Sequence, residues 1–158
     1  MNNKLDRFVK AILDFCFCVG IIIEIAVPFG LKKAVELMTR LWRDSSAYSA
    51  IPDNYPVSVC SIMIVGAFCI LIMYELRRMM QTVIDDDAFV QQNVISLKRM
   101  GTYAFCLSIV KLLRCFVYFT PAAIIIAAAF FFAGLFSKVL SRVFDKAVRY
   151  KEENDLTI

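Results

Sequence analysis

The sequence predicts an all-α, polytopic membrane protein: four transmembrane helices with short amphipathic helices at the membrane interface. Three observations carry this. Hydrophobic residues make up 60% of the 158 residues and the mean hydropathy is +0.68, well above a soluble domain. The 18 Lys+Arg and 14 Asp+Glu are clustered and leave long uncharged stretches. At ~20 residues per span, the length suits four closely linked crossings and one integral domain over residues 1–158.

The first expected span covers residues 8–31, apolar except for Asp14 and Glu24. Lys4, Arg7 and Lys10 precede it, but the two acids interrupt the apolar stretch and no small-x-small cleavage pattern follows, so an uncleaved span is the reading. Residues 55–76 form the second, between Asp53/Pro56 and Glu75/Arg77/Arg78. Residues 100–120 form the third, interrupted by Lys111 and Arg114. Residues 122–140 form the fourth, after Pro121, whose missing N–H costs nothing in a first helical turn. The charges inside the first and third segments are too few for a surface helix with a continuous polar face.

Between the spans, Leu31 to Arg43 reads as a short amphipathic helix, with Leu31, Val35, Met38 and Leu41/Trp42 at helical spacing. Ser45 to Pro56 reads as an outer loop. Glu75 to Val83 prolongs the second span until Asp85-Asp86-Asp87 ends it and opens the next helix, with Gly101 marking a bend into the third span. The tail, residues 141–158, reads as a basic amphipathic helix beside the fourth span, suited to anionic lipid headgroups. Lys4, Arg7, Lys10, Arg77, Arg78, Lys98, Arg99, Lys138, Arg142, Lys146, Arg149 and Lys151 fall on one side, against Lys32, Lys33, Arg40 and Arg43 on the other. This asymmetry puts both termini in the cytoplasm of a multi-pass cell-membrane protein.

Charges within spans are costly. Glu24, Lys111 and Arg114 lie at matching depth, and Lys111 and Arg114 share a helix face. An ion pair from Glu24 to one or both cations is therefore expected, either as a structural tie or as part of an ion pathway. The six cysteines, Cys16, Cys18, Cys60, Cys69, Cys106 and Cys115, lie in apolar segments without Cys-x-x-Cys spacing. With no His, neither a zinc set nor a His-based nucleophile can be assembled. No catalytic, metal or cofactor site is expected, and the chain reads as a non-enzyme. Membrane lipid, and not nucleic acid, is the expected anion for the basic tail. Ala123/Ala127 and Ala129/Ala133 give small-xxx-small spacings that serve helix packing or a homo-oligomer.

Two segments carry a resemblance. One is Asp87-Ala-Phe89-Val-Gln-Gln-Asn93-Val-Ile-Ser-Leu97-Lys98-Arg99-Met-Gly101, preceded by Leu76-Arg77-Arg78; the other is the tail Lys151-Glu152-Glu153-Asn154-Asp155-Leu156-Thr157-Ile158. Together they resemble a bacterial four-span membrane family, domain of unknown function 2975. That family shows a cytoplasmic Pro-Phe-x-x-x-Asn-x-x-x-Leu-[Lys/Arg]-x-[Ile/Met]-Gly stretch and an acidic tail ending near Leu-Thr-Ile/Val. Ala88 stands here where the family usually has Pro. The resemblance implies a cytoplasmic motif at Phe89, Asn93, Leu97, Lys98 and Gly101, and a tail motif at Glu153, Asp155, Leu156, Thr157 and Ile158. It also implies a cytoplasmic partner, a helix-turn-helix transcription regulator. The expected role is a sensor or membrane anchor for such a regulator; the alternative is a small transporter or export component using the intramembrane charges.

Overall fold

The computed structural model describes residues 3–41, 55–117 and 121–155. Trp42, Arg43, the outer loop before Tyr55, and Leu156, Thr157 and Ile158 of the tail motif lie outside the described residues. The described residues form four helices: α1 (Asn3–Leu41), α2 (Tyr55–Ile84), α3 (Gln91–Val117) and α4 (Pro121–Asp155). There is no strand among the described residues.

Each helix packs chiefly on its neighbour in the chain: α1 on α2, α2 on α3, and α3 most extensively on α4. The contacts run antiparallel. Lys10 meets Gln81 and Asp14 meets Arg77, while further along α1 Gly20 faces Ile70 and Glu24 faces Gly66. The N-terminal end of α1, the α2–α3 turn and the C-terminal end of α4 therefore share one end of the molecule, here called the basic end.

Among the described residues three stretches are long and apolar enough to cross a membrane: Lys4–Ala34, Ser58–Ile84 and Pro121–Asn154. The exposed side chains suit lipid, with Phe15 at 70% and Phe29 at 84% exposure. The polytopic all-α class thus stands. α3, which carries Lys111 and Arg114, is not among those three stretches. It is nonetheless the most buried helix: Val94, Leu97, Gly101, Ala104 and Ser108 all lie in the core. Their alternating spacing of three and four is the pattern of a helix–helix seam. α4 answers with Ala127, Gly134, Ser141 and Val148, buried every seventh residue. Small residues at such a seam let backbones approach closely.

Three sequence expectations change. The Leu31–Arg43 segment is not a separate helix, because α1 runs through Pro28 to Leu41. Proline is tolerated inside apolar spanning helices, and the Leu, Lys, Ala, Glu and Met that follow favour continued helix. The tail is likewise continuous with the fourth span, as one 35-residue helix. Gly101 is no bend: it sits buried within α3.

The Asp triplet ends α2 but does not cap α3. Asp87 N–H donates to Thr82 C=O at 2.9 Å and Asp86 N–H to Val83 C=O at 3.2 Å. Asp86 has φ 55°. This pair of bonds around a left-handed residue is the Schellman ending, which satisfies the last carbonyls of α2. The carboxylates are used elsewhere: Asp85 accepts from Gln81 and Asp87 from Lys151. At the start of α3, Asn93 N–H instead finds Val90 C=O at 3.0 Å.

Candidate functional site

The polar side chains concentrate at the basic end. Between α1 and α2, Lys10 donates to Gln81, and Arg77 donates through Nε to Asp14 while its guanidinium lies 4.5 Å over the Phe17 ring. Between α2 and α3, Glu75 is only 2% exposed. Its carboxylate accepts from Ser96 Oγ at 2.7 Å and from Arg99 at 3.3 Å. Between α3 and α4, Ser137 Oγ donates to Leu97 C=O at 2.8 Å, and Lys138 Nζ to Thr102 Oγ1 at 2.8 Å.

Of the motif residues, Asn93, Leu97 and Gly101 are spaced by four on α3, which makes one stripe, while Phe89 lies in the turn just before the helix. Asn93 is the staple of the turn. Its Nδ2 donates to Thr82 Oγ1 at 2.6 Å and to Ala88 C=O at 2.8 Å, and Thr82 donates onward to Met79 C=O at 2.7 Å. One carboxamide thus locks the end of α2 to the start of α3, from a site only 1% exposed. Leu97 is buried. Gly101 faces Gly134, whose carbonyl oxygen would stand 3.1 Å from a Cβ at that position. Asn93, Leu97 and Gly101 are therefore architectural, while Phe89 and Lys98 remain exposed.

The two motif-bearing segments meet. Lys151 Nζ donates to Asp87 at 2.7 Å, and the Phe89 ring lies 5.5 Å from that of Phe144. The α2–α3 turn and the distal turns of α4 form one continuous surface, with Phe89 and Tyr150 exposed beside it. Glu153 and Asp155 follow on the last turn of α4.

The intramembrane charges are arranged differently from expectation. Glu24 lies against Gly66 of α2, where a Cβ would meet its carboxyl carbon at 2.7 Å. Lys111 and Arg114 are half-buried on α3. An ion pair of Glu24 with either cation is not among those formed by the described residues. α2 stands between them: α1 packs on α2 and α2 on α3, so equal depth did not bring the partners together. Among the small-xxx-small positions, Ala127 is buried and its carbonyl accepts from Ser108 at 2.9 Å, while Ala129 and Ala133 are exposed. Among the described residues no group of three or more His, Cys, Asp or Glu could hold a metal.

Sequence reasoning missed Glu75, which it took for the polar end of a span. The available signal was Ser96 and Arg99, three apart on α3 and so on one face. It also missed the heptad of small residues on α4.

The fold and its exposed apolar faces define a membrane protein built from long antiparallel helices. Over residues 40–158 the chain matches the family described as Protein of unknown function (DUF2975). The chain belongs to this family. No curated protein and no solved structure matches it.

Proposed function

We propose that this is a non-enzymatic, multi-pass protein of the bacterial cell membrane that docks a cytoplasmic helix-turn-helix transcription regulator on its basic end. α3 is the remaining crossing, packed between α2 and α4, and its half-buried Lys111 and Arg114 cost less there than on a wholly lipid-facing helix. Both termini then face the cytoplasm with the excess of Lys and Arg. The observation that supports docking is the joining of the α2–α3 turn to the distal part of α4 by Asp87–Lys151 and Phe89–Phe144. A surface of exposed aromatic residues flanked by charges of both signs has the composition of a protein interface.

Removal of residues 152–158 tests this. Loss of the regulator from purified membranes, with membrane insertion unchanged, is the expected result; undiminished retention contradicts the reading.

A transport role draws on a different observation, the Glu24 carboxylate set against Gly66 within the apolar stretches of α1 and α2. On that reading Glu24→Gln abolishes flux while leaving the fold intact. A variant that loses only thermal stability points to a packing role.

A further inference from the structure

A crevice of about 320 Å³ opens between α1 and α2 at the basic end, lined by Lys10, Asp14, Tyr74, Arg77, Arg78 and Gln81. Three cations face one carboxylate there. Two of the cations are committed. Lys10 is held by Gln81, whose own amide donates to Asp85 at 3.0 Å, and Arg77 is held by Asp14 and Phe17. Arg78 is half-buried and has no ion pair or hydrogen bond among the described residues. The walls are amphipathic. The Phe17 and Tyr74 rings pack at 6.5 Å, and exposed Phe8, Phe15 and Leu71 extend an apolar surface along the same two helices.

We propose that this crevice binds the phosphate headgroup of an anionic phospholipid. The phosphate sits on Arg78 beside the Tyr74 hydroxyl, and the acyl chains run along the apolar faces of α1 and α2. Basic pockets between helices at the cytoplasmic interface suit such headgroups. The excess of positive charge asks for an anionic lipid and leaves a zwitterionic one less well matched. The site rests on the membrane reading but on neither the docking nor the transport role.

The test uses the full chain reconstituted in vesicles of equal phosphatidylcholine and phosphatidylglycerol, with retained lipid counted by native mass spectrometry. Wild type keeps phosphatidylglycerol in preference to phosphatidylcholine. Arg78→Gln weakens that retention about five-fold, the order set by one basic contact near the surface. Arg78→Lys keeps most of it, and Lys146→Gln on the exposed face of α4 leaves it unchanged. Undiminished retention in Arg78→Gln overturns the site. So does an equal loss in Lys146→Gln, which would mean diffuse attraction, or displacement of the lipid by inorganic phosphate alone, which would mean an ion site. Flotation with the vesicles is scored first: a chain that does not float overturns the membrane reading as well, whereas a floating chain that fails the Arg78 comparison overturns this site alone.

Discussion

Gly101 and Gly134 face each other across the α3–α4 seam so closely that a Cβ on either would stand 3.1 Å from the other's carbonyl oxygen. At Gly134 the Phe105 ring closes the remaining side, also at 3.1 Å, and Phe105 is itself held edge-on by Phe131 at 5.5 Å. A large side chain here must push the two helices apart. Gly134→Leu is expected to cost about 2–3 kcal/mol through overpacking, read as a lower thermal midpoint in detergent. Gly30→Ala is the control. Nothing lies within 4 Å of its added Cβ, so it should gain about 0.5–1 kcal/mol of helix stability.

Asn93 holds the α2–α3 turn by donating, so the chemistry of its terminal group decides the outcome of substitution. Asn93→Asp keeps the shape but places an acceptor against the Ala88 carbonyl. It should destabilise by about 2–3 kcal/mol, the cost of leaving buried polar groups without partners. Limited proteolysis should then cut first between residues 85 and 90. Unchanged protease resistance would show that the turn is held some other way.

Glu75 is a nearly buried carboxylate whose bonds cross from α2 to α3. Glu75→Ala removes the acceptor for Ser96 and Arg99 together. A loss of about 2–3 kcal/mol is expected, in line with hydrogen bonds to a charged group. Glu75→Gln keeps an oxygen for Ser96 and should lose about half as much. Equal losses in the two variants would show that the negative charge, and not the Ser96 bond, carries the effect.

Asp86 occupies a left-handed backbone position that glycine adopts without steric cost. Asp86→Gly should therefore raise stability by up to about 1 kcal/mol. A fall in thermal midpoint would mean that the Asp86 side chain, and not its φ angle, matters at this turn.

The sequence made the helical membrane class legible because uncharged runs of spanning length have few other uses. Pro121 located the start of α4 and the Asp triplet the end of α2. The interfacial helices were misread because a change from apolar to amphipathic pattern at residue 31 or 141 alters the surroundings of a helix without breaking its hydrogen bonds. Depth alone also could not place Glu24: two residues level in a membrane still need adjacent helices, and α2 intervenes. The motif Phe89–Asn93–Leu97–Gly101 was legible only through the family resemblance, because a polar Asn93 read by itself belongs on the solvent face and not in the core. Its role as a stripe of packing and stapling residues needed the antiparallel neighbours, which the spacing within one helix does not specify.

Docking of a cytoplasmic regulator requires that the basic end, with the α2–α3 turn and the end of α4 joined, faces the cytoplasm. Single cysteines introduced as Asp87→Cys, Lys151→Cys and Lys33→Cys in a chain freed of its own six cysteines test it directly with a membrane-impermeant maleimide. Lys33→Cys should be labelled in intact cells, and the other two only after the membrane is opened. Labelling of Asp87→Cys or Lys151→Cys in intact cells, or opposite behaviour of those two positions, would contradict it.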